Sequence, residues 1–288
     1  MKTLVLYSGW YRNFGRMDEK SIKEFISRLK DAHFDGLELS IDYPIYFKSN
    51  VHELIADYLR HEGLYLGIHL PWRDIELASP IEEVRISSLN TIVKCMNSLS
   101  NVRPKYYVLH LTTEQDYCGY MNRDCVNAAV KSLNIIVKNS TNLGIPTLIE
   151  TTFERCCSNE ETLPYVLSGI EESSYLNICL DPIHLISRRV RMWGKPETIE
   201  ELINALPPIM LERTEEIHVH NYRVLGYGIT YAHLIPDEDI LQDFIGVIKR
   251  LRNRVKVVTL EVYKDLSGKD IDISALKEIV VKLKNYLR

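Results

Sequence analysis

Eight times along this chain a short apolar run gives way to a segment with helical spacing, and no linker or change of composition interrupts the alternation. The runs read as strands at Leu4 to Leu6, Leu37 to Leu39, Tyr65 to His69, Tyr106 to His110, Pro146 to Glu150, Asn177 to Asp181, Glu216 to His220 and Val255 to Val262. Between them apolar residues recur three and four apart, as in Ile22, Phe25, Ile26 and Leu29, the stripe of an amphipathic helix. Gly63 and Gly144 stand where the second and fourth helices should stop. Ser79-Pro80-Ile81-Glu82 reads as a helix start, with a capping serine, a proline in the first position and an acid at the third. Pro196 is expected to open helix six. Two segments without periodicity, Thr112 to Met121 and Tyr222 to Pro236, are expected to be long irregular loops at the active face.

An all-parallel alternation of this length either closes into a barrel or opens into a doubly wound sheet. The dinucleotide-binding sheet carries G-x-G-x-x-G after its first strand, and this chain has none there. With 288 residues, near the ~250 typical of such barrels, the expectation is one (β/α)8 TIM-barrel domain over residues 1–288. A net charge of -4 supplies no global basic field for nucleic acid, although a local basic groove stays compatible with it. No apolar run approaches the ~20 residues that span a bilayer, and the N-terminus runs into a strand without a small-residue cleavage site. A cytoplasmic protein with no membrane partner is expected. The six cysteines show no C-x-x-C or finger spacing, so most are expected to be reduced. Cys118 and Cys125 are near enough in sequence to bridge, which a reducing compartment disfavours.

The ends of the strands share one chemistry. They carry Glu38, His69, His110, Glu150, Asp181 with His184, His218 with His220, and Glu261, and His233 lies in the loop after strand seven. Six of the nine histidines therefore fall at one rim of a barrel, while His33, His52 and His61 lie on or near helices and read as surface residues. A lone strand-end histidine is more often a satisfied polar group than a ligand, and Asp181 alone could simply cap the next helix. Seven such ends are hard to assign to packing, because barrel interiors favour Val, Ile and Leu. Glu150, Asp181 and Glu261 at one rim would also repel each other unless a cation neutralised them. Mixed carboxylate and imidazole donors suit a divalent Zn, Mn or Co better than Mg.

These residues carry a resemblance. Gly36-Leu37-Glu38, His69-Leu70-Pro71, Val108-Leu109-His110, Leu148-Ile149-Glu150, Cys179 to His184, Ile217 to Asn221 and Thr259-Leu260-Glu261 are similar to motifs of the xylose isomerase-like TIM-barrel superfamily. That superfamily joins sugar isomerases and epimerases to the endonuclease IV class of apurinic-site nucleases. The resemblance to ketose epimerases implies Glu150, Asp181, His218 and Glu261 as ligands of one divalent metal, with Glu150 and Glu261 also the catalytic acid/base pair. His69, His110, His184 and His233 are then candidates for a second metal or for substrate, and Glu38, Trp72, His220 and Arg223 are weaker candidates for substrate contact. The small-molecule partner would be a sugar or sugar phosphate, and a homo-oligomer is left open.

The resemblance to the nucleases implies three zinc ions instead. His69, His110 and Glu150 would hold the first, and the four-ligand set the second. His184 and His233 would hold the third with an acid two residues before His233, where this chain has Tyr231. A barrel that binds a metal or small ligand without turnover is the remaining alternative, and retention of both Glu150 and Glu261 argues against it.

Overall fold

The computed structural model of the chain describes residues 2–14, 17–42, 49–112, 123–154, 156–171, 174–194, 197–225 and 229–287. Eight strands form the barrel: β1 (Leu4–Gly9), β2 (Gly36–Ser40), β3 (Tyr65–His69), β4 (Tyr107–Leu109), β5 (Thr147–Glu150), β6 (Leu176–Leu180), β7 (Thr214–Val219) and β10 (Val257–Leu260). They close in the order β1-β10-β7-β6-β5-β4-β3-β2, and every neighbouring pair is parallel. The helices are α1 (Glu19–Asp31), α2 (Ser49–His61), α3 (Glu82–Leu99), α4 (Arg123–Leu143), α5 (Leu163–Ser168), α6 (Pro182–Trp193), α7 (Ile199–Ala205), α8 (Pro208–Arg213), α9 (Glu238–Arg250) and α10 (Lys277–Leu287). The expected (β/α)8 barrel is the fold of the chain.

The core lies in two places. Ile22, Phe25, Ile26 and Leu29 of α1 are all buried, as are Leu241, Phe244, Ile245 and Ile248 of α9. They pack on outward-facing strand residues such as Leu37, Leu39 and Ile217. A smaller cluster of Leu6, Tyr106, Val108, Leu148, Cys179 and Val257 fills the barrel interior. Alternation along each strand sends these residues inward, and the next inward positions toward the C-terminal ends are polar.

The structure departs from the sequence reading in several local places. β2 continues to Ser40, so Glu38 lies in mid-strand rather than at its end. Helix six starts at Pro182 with no intervening loop, because the Asp181 side chain accepts from the His184 backbone N–H and Pro182 takes the first helical position. Pro196 lies outside the described residues, and α7 opens at Ile199 behind a Thr198–Glu201 capping box. α3 begins at Glu82, later than the serine cap implied, and Ser79 Oγ instead accepts from Ile81 N–H in a tight turn. The segment after β7 is no irregular loop: β8 (Asn221–Leu225) and β9 (Ile229–Leu234) pair as an antiparallel hairpin. Most of the Thr112 to Met121 segment lies outside the described residues.

Gly63 and Gly144 both take positive φ, +70° and +67°, just past α2 and α4, where a side chain would strain the backbone. His52 is buried on α2 rather than exposed. More cysteines are placed in disulfide positions than expected: Cys156 with Cys157, and Cys125, leaving Cys95 and Cys179 free among the described residues. Cys118 lies outside the described residues.

Candidate metal centre

Strand alternation and closure of the ring bring the polar strand ends together. Glu150 ends β5, Asp181 follows β6, His218 is the inward residue near the end of β7, and Glu261 follows β10. Each offers one ligand atom, and the four atoms lie within 4.8 Å of one another. His218 Nδ1 stands 3.2 Å from Glu261 Oε2, 3.8 Å from Glu150 Oε1 and 3.9 Å from Asp181 Oδ2. The first three residues are at most 1% exposed, and the Glu261 side chain is 14% exposed.

Further histidines surround this cage. His69 Nε2 and His110 Nε2 approach Glu150 Oε2 at 3.0 and 3.1 Å, so these three form a second ligand-capable group. On the other side His184 Nδ1 is 3.1 Å from Glu150 Oε1, and His220 Nε2–H donates to Asp181 Oδ2 at 2.9 Å. The His233 ring sits 4.5 Å from that of His220 and 5.8 Å from that of His184. The hairpin turns His233 toward the cage with φ at +60°.

Electrostatics mark the cage as short of positive charge. Burial pushes the Glu150 carboxyl up, but His110 and His218 hold it well below the usual carboxylate range. Asp181 is likewise lowered, against its burial, by His184 and His220. Burial disfavours charge on the imidazoles, yet Glu150 carries His69 up to about 9, and Asp181 with Glu150 carries His184 up to about 10. His233 goes the other way, lowered to about 4 by burial, against the pull of Glu261. His69 and His184 are thus placed as counter-cations, the role a metal ion would take over.

The donor set fits a divalent cation. Both ring nitrogens of His110 and of His218, His233 Nδ1 and Glu261 Oε2 are buried without a hydrogen-bond partner. Such orphans are rare in native interiors and point to an unaccounted ion or ligand. Carboxylate and imidazole donors together suit Zn, Mn or Co.

The remaining candidates fall in different surroundings. Trp72 stacks on the His110 ring at 5.5 Å. Arg223 is exposed on β8, with its guanidinium 6.0 Å from the Tyr231 ring across the hairpin. Glu38 is fully buried, its Oε1 3.3 Å from His218 Nε2 and its Oε2 3.0 Å from the Tyr106 hydroxyl, so it lies beneath the cage rather than where a substrate would reach.

Residues absent from the sequence reading complete this layer. The Tyr106 hydroxyl is also 2.8 Å from Glu216 Oε1, which accepts from Thr259 Oγ1 as well. Burial, reinforced by Glu38, raises the Glu216 carboxyl well above its ordinary value. Tyr263 donates to Glu261 Oε1 at 3.2 Å. Period-two spacing from His218 and Glu261 reaches Glu216, Thr259 and Tyr263, which was the available signal.

Known proteins resemble this chain in sequence and in shape. A protein named "Probable endonuclease 4" from Halothermothrix orenii is 22% identical over 229 residues, covering 76% of this chain and 79% of its own length. The solved D-allulose 3-epimerase of Methylomonas sp. superimposes with a TM-score of 0.68 at 13% identity, covering 100% of this chain and 98% of that one. A solved D-tagatose 3-epimerase-like protein does so with a TM-score of 0.68 at 17% identity, covering 99% and 97%. At such identities the likeness is one of fold. The model of the xylose isomerase-like TIM barrel matches residues 22–279, and the chain belongs to that family.

Proposed function

We propose that the chain is a divalent-metal-dependent isomerase or epimerase acting on a sugar or sugar phosphate. The observation that carries the reading is the convergence of Glu150, Asp181, His218 and Glu261 around inward-facing buried atoms without partners. A cation held there would supply Lewis-acid polarisation of a ketose carbonyl. Glu150 and Glu261 come from strands three apart in the ring, so they can flank a substrate from two sides. One carboxylate takes the proton next to the carbonyl and the other returns it. His69, His110, His184 and His233 lie around them and would contact substrate oxygens, while His220, with both ring nitrogens engaged, would orient Asp181. Trp72 would wall the pocket, and Arg223 would hold a hydroxyl or phosphate. The epimerase names of the fold neighbours support the same class of chemistry.

The test is exchange of a ketose α-proton with solvent deuterium, followed by NMR across neutral and phosphorylated ketoses. Glu150→Gln should suppress the exchange while some metal binding survives. A second reading rests on the His69, His110 and Glu150 group, which would hold another cation, and on the endonuclease relative. In it the chain is a zinc-dependent phosphodiesterase at apurinic sites in DNA. Wild-type protein that exchanges no ketose proton yet nicks apurinic DNA at modest salt would replace the first reading by the second. About one bound metal per chain favours the isomerase, and nearly three zinc ions favour the nuclease.

A further inference from the structure

Beneath the cage two buried polar atoms face each other. Glu38 Oε1 and His218 Nε2 are 3.3 Å apart, both residues are fully buried, and neither atom is aligned in a hydrogen bond. The opposite nitrogen, Nδ1, faces Glu261, Glu150 and Asp181. The imidazole thus spans the gap between the candidate cation site and the layer below it.

We propose that Glu38 is the positioning residue of this centre: it takes the Nε2–H of His218 and so leaves Nδ1 as the basic nitrogen presented to the cation. The two ring nitrogens are not equivalent, and the hydrogen bond made by one decides which is free to ligate. Metal-ligating histidines commonly hand their second N–H to a carboxylate, which fixes the ring and strengthens the ligand. The carboxylate is itself held, since the Tyr106 hydroxyl lies 3.0 Å from Glu38 Oε2 and shares its one proton between that oxygen and Glu216 Oε1 at 2.8 Å. Tyr106 reaches that place because residue 67 of β3 is glycine. A Cβ there would stand 2.5 Å from the Tyr106 ring and 2.6 Å from its hydroxyl oxygen. A chain of support therefore runs from Gly67 through Tyr106 and Glu38 to His218. It rests on the cation reading of the cage but on neither of the two reactions. The competitor for His218 is the free, buried Cys179 thiol, which groups with His218 and Glu150 within 4.8 Å.

The experiment is calorimetric titration of Mn2+ into metal-stripped full-length protein, with thermal unfolding of each stripped variant as the fold control. Glu38→Gln keeps the shape and removes the charge, and should weaken Mn2+ binding about 10–100-fold. Tyr106→Phe and Gly67→Ala do not touch the cage, yet each should weaken it about fivefold, the effect of one lost buried hydrogen bond. Long-range 1H–15N correlation should find His218 protonated on Nε2 in wild type and a mixture of tautomers in Glu38→Gln. Cys179→Ser should bind like wild type. If Glu38→Gln does not fold, Tyr106→Phe and the tautomer measurement decide. Unchanged affinity in Glu38→Gln and Tyr106→Phe, or weakening in Cys179→Ser alone, overturns the proposal and leaves the proposed function standing. Wild-type protein that binds no Mn2+ overturns both.

Discussion

The two ends of this barrel handle charge in opposite ways. At the N-terminal end Thr3, Lys249, Arg252, Arg254, Lys256, Leu283 and Tyr286 are among the residues lining a cavity of about 600 Å3. Three of its four basic groups are answered singly: Lys256 by Glu215 at 2.5 Å, Arg254 by the Glu212 carbonyl and Lys249 by the Tyr286 ring at 4.6 Å. At the C-terminal end, carboxylates and imidazoles from β5, β6, β7 and β10 share one another as partners, nearly all out of reach of water. Exposed pairs gain little from their attraction, because water screens them. Buried like charges raise each other's cost and need a counter-cation or a proton close by. Convergence of buried titratable groups, more than open volume, therefore marks the candidate site.

The contrast breaks first if the C-terminal cage does not matter. Glu261→Gln should lower ketose α-proton exchange about 10^2–10^4-fold, the size of a lost general acid/base. A change below about tenfold, measured by NMR on metal-loaded protein, would remove Glu261 from the proton-transfer step.

Acidity sharpens it next. His69 and His184 have folded-state values raised from 6.5 to about 9 and about 10. Groups raised on folding stabilise the metal-free protein in full below about 6.5, and that stabilisation is lost as pH rises through 9 and 10. Glu150 and Asp181 are lowered on folding, so their contribution is present above the ordinary carboxylate range and is lost in acid. The unfolding temperature of stripped protein should therefore fall between about pH 6.5 and 10. Metal affinity should climb over the same interval, because a bound cation displaces those protons. A flat unfolding temperature would mean the imidazoles are not acting as counter-cations.

A smaller effect is expected at the hairpin. Tyr231 pairs with Arg223 across β8 and β9 and offers no carboxylate to His184 and His233. A phenol is neutral at pH 7, with a pKa near 10, and makes a poor ligand. Tyr231→Asp should raise bound zinc by about one equivalent, read by elemental analysis of purified protein. Unchanged stoichiometry would mean this side of the cage does not accept a third ion.

The smallest effect belongs to the other end. Arg252→Gln should leave urea stability within ~0.5 kcal/mol and proton exchange unchanged, as for an ordinary surface charge. A marked loss of exchange would give the N-terminal cavity a role that its exposed charges do not suggest.

The barrel was legible because parallel strands covered on both faces must be apolar throughout, so each announces itself against the helical stripes. The strand-end acids and histidines were legible for the same reason, as polar residues where apolar ones belong. Asp181 was ambiguous in sequence because it does two things at once, capping α6 through Oδ1 and accepting from His220 through Oδ2. The β8–β9 hairpin was missed, since its pairing of Arg223 with Tyr231 depends on partners that period alone does not announce. Glu216 was missed because attention to strand ends passes over the inward residue one layer lower.

By itself the sequence determined the order of the barrel strands, the closed parallel barrel and the kinds of side chain near its C-terminal ends. Those follow from local periodicity and from what a buried strand tolerates. Only the tertiary structure decided that Glu38 lies beneath His218, that Tyr106 reaches it across a glycine, and that Nδ1 of His218 is the nitrogen facing the carboxylates. These contacts join residues as far apart in the chain as Glu38 and His218. Their distances depend on how the ring closes, and sequence spacing does not encode that.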